Sequence, residues 1–217
     1  MKATQITAIA ILSLAMASAC GKSEPAADGD KAKPAAEGAE AGDKAGEAEE
    51  PKVEVPKLTI TEADWVEKDL KEVSPMINVT IKAPKDATFE KNGNGGVDIK
   101  IAPFYMITVG NLAVGGLKEA IEWGDASSIG DSSYKDGKKI VDEENGFVFT
   151  YQMNDEDNGL KYAPESHFYF FIEKDGAVYS VNDTKPLDTM MSTPNEAYTE
   201  DLAKQVYGLV KGSATAN

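Results

Sequence analysis

The chain has 217 residues, with 37 acidic and 22 basic side chains and a net charge of -15, and every basic residue is a lysine. That balance repels nucleic acid and anionic surfaces, and the absence of arginine removes the planar fork used for bidentate phosphate recognition. One cysteine and one histidine exclude an internal disulfide, a cysteine-built zinc centre and any metal site needing two imidazoles.

The first element is a leader. Met1 and Lys2 give a positive start, Ile6 to Met16 is almost wholly apolar, and Ala17, Ser18, Ala19 and Cys20 follow. The apolar run is too short to span a bilayer, which takes about twenty residues, and it has the layout of a signal peptide over residues 1–19. The lone cysteine at the end of the small residues resembles the lipobox of bacterial lipoproteins, with Ala17 where that family usually carries leucine. The resemblance implies cleavage before Cys20, fatty acyl chains on its thiol and a membrane partner reached through that anchor. Gly21 follows where an aspartate would imply inner-membrane retention, so the expected location is the outer membrane of a two-membrane envelope. Ala17-Ser18-Ala19 also fits an ordinary A-x-A cleavage site, which leaves a soluble secreted or periplasmic form as the alternative. A bare thiol at the mature N-terminus of an oxidising compartment would be a chemical liability.

Residues 20–55 change in composition to alanine, glutamate, lysine, glycine, aspartate and proline, with Val53 and Val55 as the only larger apolar side chains. Such a segment buries too little apolar surface to offset the entropy of ordering it. It reads as a disordered linker with a coil end-to-end distance of roughly 30–35 Å.

Residues 56–217 are long enough for one substantial core. Thr61-x-x-Asp64 ahead of Trp65, Val66, Leu70 and Val73 predicts a short capped helix. Ile77, Val79 and Ile81 alternate with polar residues in a strand ending at Pro84. Asn92 to Gly96 form a turn, Val97 to Val109 read as strand interrupted at Pro103, and Leu112 to Trp123 have helical spacing closed by Gly124. Asn145-Gly146 and Asp175-Gly176 predict two hairpins. Phe168, Phe170 and Ile172 on one side of a strand, with Tyr169 and Phe171 on the other, require layers above and below the sheet. Thr193-Pro194-Asn195-Glu196 predicts the start of a last helix with Tyr198, Leu202, Val206, Leu209 and Val210 as its buried stripe. The fold class is α+β, with a largely antiparallel sheet of about five to seven strands covered by helices. The V-T-I-K-A-P strand, central helix, "IVDEENGFVFTY" hairpin, aromatic strand with a D-G turn and final helix together resemble small bacterial domains of the PsbP/DcrB-like group. That resemblance implies an accessory or binding module rather than an enzyme.

Four features carry candidate chemistry. Asn154, Glu156, Asn158 and Glu165 hold EF-hand ligand places with Gly159 at the sixth, a weak calcium site whose flanks read as strands rather than helices. Gly130-Asp131-Ser132 is similar to the G-D-S block of serine hydrolases but lacks the downstream D-x-x-H, since Pro164 stands three places before His167. His167 begins an apolar strand, where an imidazole makes a core-edge hydrogen bond. Met153 with Met190-Met191 offers thioethers that ordinarily fill core gaps. No catalytic set is assembled and no cofactor is implied beyond the lipid on Cys20. The expected function is a non-catalytic envelope lipoprotein whose tethered domain binds a protein or envelope polymer, not nucleic acid. The alternatives are a carboxylate-based hydrolase of envelope polymers and a calcium-dependent binding module.

Overall fold

Alternation sets the strands. In β2 (Val79–Pro84) every second side chain is buried, and the same period opens β4 (Val97–Ala102) and runs from Ile107 to Gly110 in β5 (Tyr105–Leu112), whose first three side chains are all buried. The computed structural model describes residues 54–154 and 162–217, all within a compact unit spanning Glu50–Asn217. The expected leader, Cys20 and the linker fall outside the described residues, apart from Glu54 and Val55.

The remaining elements are β1 (Trp65–Asp69), β3 (Thr88–Lys91), α1 (Leu117–Ala126), β6 (Tyr134–Glu143), β7 (Gly146–Met153), β8 (Glu165–Lys174), β9 (Ala177–Thr184), α2 (Glu200–Ser213) and β10 (Thr215–Ala216). They build a seven-stranded antiparallel sheet of order β3-β4-β5-β9-β8-β7-β6 and a three-stranded one of order β1-β2-β10. The α+β layering is as the two-faced aromatic strand required. On one face of the large sheet Val148, Phe168, Phe170 and Val181 pack against Leu202, Val206 and Val210 of α2 and against Trp65, Val79 and Ile81 of the small sheet. On the other, Phe147, Phe149, Phe171 and Val178 pack under Ala120 of α1. Complete burial of one such phenylalanine stabilises the fold by about 1.5–3 kcal/mol. Among the described residues no helix is long and apolar enough to cross a membrane.

Four expectations are corrected. The segment after Thr61 is a single 3-10 turn and then β1, which pairs with β2 from Trp65↔Pro84 to Asp69↔Thr80; tertiary pairing overrides the local helical signal, and the Thr61 side chain caps nothing. Pro103 does break the run as expected, in a tight turn between β4 and β5, which pair antiparallel. Leu112 ends β5, so the central helix starts later, at Leu117, whose N–H donates to Glu173 Oε2 of β8 at 3.0 Å. Gly124 lies inside that helix, where a Cβ would come within 2.9 Å of Phe171 Cζ; it is there for close helix–sheet approach. The last helix is capped by Thr199, whose side chain accepts from the Leu202 N–H, while Thr193 donates its hydroxyl to Thr189 O and is followed by a 3-10 turn, Asn195–Ala197. The strand β3 has no counterpart in the sequence reading.

Candidate functional site

The site is built where regular pairing stops. The ladder between β8 and β9, at the centre of the large sheet, runs from the Lys174↔Ala177 pair to Tyr169↔Asn182 and ends there. Beyond it β9 stays paired with β5 as far as Met106↔Thr184, and β8 stays paired with β7 as far as Tyr151↔Glu165. The two strands therefore fork, each held by its outer neighbour. The Phe168 N–H, freed from the ladder, donates to Asp183 Oδ1 at 2.8 Å, since a buried amide must find an acceptor.

Four charged groups fill the fork in alternating sign. His167 Nδ1 meets Asp183 Oδ2 at 3.0 Å, and its Nε2 lies 3.8 Å from Glu165 Oε2. Glu165 is ion-paired with Lys185, whose Nζ also donates to Asn195 Oδ1 at 2.9 Å and sits 4.8 Å from the centre of the Tyr198 ring. Glu165 is 2 % exposed and His167 6 %. Burial pulls the imidazole's pKa down, but Asp183 and then Glu165 outweigh it and hold the group at about 9. Burial pushes Glu165 up, but His167 and Lys185 outweigh that and hold it at about 2. At neutral pH the ring is an imidazolium between two carboxylates, an arrangement in which low dielectric strengthens each attraction. The hydroxyls around it stay neutral. Burial and then Asp183 raise Tyr105 well above its ordinary value, burial and then Glu165 raise Tyr151, and burial with both carboxylates raises Tyr198.

The fork opens into a groove of about 1250 Å³ on the face that α1 only half covers. Its floor includes one cross-strand row, Asp98↔Thr108↔Asn182↔Tyr169. Asp98 Oδ1 accepts from Thr108 Oγ1 at 2.9 Å and Asn92 Nδ2 at 3.0 Å, and Thr108 in turn meets Thr184 Oγ1 at 3.2 Å. The Phe149 ring lies nearly parallel to that of Tyr169, at 5.8 Å and 10°. Over the groove hangs the segment 186–194. It is a built turn: Thr189 Oγ1 donates to Pro103 O at 2.7 Å, and the N–H groups of Ser192 and Thr193 donate to Thr189 O at 3.0 Å. Its tip presents Leu187 at 85 % exposure and Met191 at 95 %. Among the described residues, Val55, Met153, Leu187, Met190 and Met191 are exposed large apolar side chains that line this groove, and only Val66, Met76 and Trp123 are exposed elsewhere. A second hollow of about 540 Å³, lined by Lys138, Thr150 and Glu200 among others, contains none of them.

Several sequence candidates converge here and others do not. His167 makes the core-edge hydrogen bond its position implied, but as one member of a charged chain. Glu165, the last place of the calcium spacing, turns inward to Lys185 and His167. Asn154 donates to Ser132 O at 3.5 Å, while Glu156 and Asn158 lie outside the described residues. Among those described, no group of three or more histidine, cysteine, aspartate or glutamate side chains is placed to hold a metal ion. Asp131 of the G-D-S run accepts from the Ser133 N–H at 2.8 Å, which lowers its pKa, and the sole imidazole has both nitrogens turned to Asp183 and Glu165. Those two carboxylates are neighbours across His167, yet Glu165 is held low, the opposite of a general acid. Met153, Met190 and Met191 are not core fillers; they rim the groove. Asp98, Asp183, Lys185 and Leu187 were not singled out in the sequence. One signal did exist: Tyr179, Val181 and Asp183 share a strand face, so a carboxylate stands where the period asks for an apolar residue.

No family model, curated protein or solved structure matches the chain.

Proposed function

We propose that the protein is a non-catalytic binding module of the cell envelope, lipid-anchored through Cys20 and spaced from the membrane by residues 20–55, with the forked groove as its binding site for a protein or envelope polymer. The observation that carries the binding half is the gathering of exposed apolar side chains around one groove. Scattered singly, such residues mean little, whereas a contiguous rim marks an interaction site. Methionine suits that role because its flexible, polarisable thioether adapts to the surface it meets. The fork supports binding rather than proton transfer, since each of its charges is already matched. The anchoring half rests on the leader and the small residues before Cys20.

Each half has its own test. Cys20→Ala should move the protein from the membrane to the soluble fraction, and retention in the membrane would remove the anchor. A photo-crosslinking residue in place of Leu187 in the intact protein should give adducts that the same residue at exposed Glu72 does not. Equal yields at both positions would remove the groove.

A further inference from the structure

The charges lining the groove are unequally matched, and the imbalance defines what fits. Its cations are His167 and Lys185, and both are held by carboxylates of the fork. Of its four carboxylates, Glu165 and Asp183 are consumed by those cations, while Asp98 and Glu196 have no ion-pair partner among the described residues. An anionic head group, whether a fatty-acid carboxylate or a lipid phosphate, would find no free cation there. A cationic group would find Asp98.

Asp98 is also prepared for such a group. Both of its donors, Thr108 and Asn92, bind the same oxygen, Oδ1, so the carboxylate is fixed in orientation with Oδ2 left for a ligand. Thr108 is itself backed by Thr184 at the mouth of the fork. This anionic point shares the groove with an apolar rim, and the volume of about 1250 Å³ exceeds the roughly 300–1,000 Å³ of a pocket for a small metabolite. Resting on the reading of the groove as the binding site, we propose that its occupant is an extended segment of a partner polypeptide carrying a lysine or arginine flanked by apolar side chains. The basic group meets Asp98 and the apolar ones lie against Leu187, Met190 and Met191. Charge complementarity then sets register and partner choice, and the rim supplies contact area.

The test uses the full-length protein and a fluorescein-labelled peptide with one lysine between leucines and valines, at about 150 mM salt so that the chain's overall charge is screened. Anisotropy should report binding that weakens about tenfold when glutamate replaces the lysine and about tenfold in Asp98→Asn. The double variant Leu187→Ser, Met191→Ser should weaken it several-fold, and Asp86→Asn, an exposed acid outside the groove, should not change it. Equal binding of the two peptides, or an unchanged affinity in Asp98→Asn, overturns the cationic proposal. Binding of a fluorescent fatty acid in place of the peptide, equally by wild type and Asp98→Asn, overturns it in favour of a lipid. In each of those cases the Leu187 crosslinks still decide separately whether the groove is a binding site.

Discussion

The two ends of the β8–β9 hairpin solve the same problem by different means. At the turn, Asp175 and Gly176 take positive φ values of 52° and 80°, and Lys174 pairs with Ala177; this is the twist-matched geometry of a two-residue hairpin loop. Above it the backbone satisfies itself, and both faces bury apolar side chains, Phe171 with Val178 on one and Phe170 with Val181 on the other. At the far end the strands part, the Phe168 N–H turns to a carboxylate, and charged side chains take over the cohesion. A backbone hydrogen bond asks little of residue identity, whereas the Asp183 carboxylate serves an amide and an imidazole at once. The closed end is therefore tolerant in chemistry and strict in conformation, and the forked end is the reverse.

The largest effect should come from Asp183→Asn. It leaves a buried imidazolium without its closest counter-charge, and breaking one side of a buried pair costs about 3–5 kcal/mol. Urea unfolding at pH 7 measures it, and a variant as stable as wild type would show that the fork is held by something else. Next is the pH dependence. His167 titrates at about 9 in the folded chain against an ordinary 6.5, so its contribution is complete below pH 6.5 and lost as pH rises through about 9. The full contribution is on the order of 3 kcal/mol. Glu165, at about 2 against 4.5, contributes fully above pH 4.5 and loses its share as pH falls through about 2. Tyr105, Tyr151 and Tyr198 are raised above their ordinary value of 10, so the unfolded chain ionises first and they add to the decline as pH nears and passes 10, which leaves pH 7 to 9 as the window for His167. His167→Gln should flatten the decline between pH 7 and 9; an equal decline in both proteins would assign it to other groups.

The difference between the two ends also explains what the sequence disclosed. The closed end was legible because Asp-Gly turn chemistry and a period of two are local properties, as was the double-sided burial of Phe168 to Phe171. The fork was not, because it arises from β9 holding to β5 while β8 holds to β7, and no local pattern states which neighbour a strand keeps. Glu165 consequently read as a possible calcium ligand, although its partner lies twenty residues on, at Lys185. The helix start shows the same limit on a smaller scale. Thr193 and Thr199 are both plausible caps, and the choice falls to Thr199 because the Thr193 hydroxyl is engaged with Thr189 O. Methionines at the rim misled for a further reason: composition favours the core, and only the turn pinned by Thr189 to Pro103 places Met190 and Met191 over the groove.

Two smaller effects sharpen the comparison. Gly176→Ala forces a side chain into positive φ and should cost about 1 kcal/mol. The loss should be the same at pH 7 and pH 10, since the closed end is held by conformation rather than charge; a pH-dependent loss would mean that the two ends are coupled. The smallest stability change belongs to the overhang. Leu187 and Met191 are 85 % and 95 % exposed, so Leu187→Ser with Met191→Ser removes almost no buried surface and should shift unfolding by under about 0.5 kcal/mol. Yet the same pair should weaken peptide capture at the groove several-fold. A change that leaves the folded state alone while removing an interaction separates surface retained for contact from surface retained for stability. If instead the double variant unfolds as readily as Asp183→Asn, the overhang belongs to the core that closes the fork, and the groove loses its rim as an argument for binding.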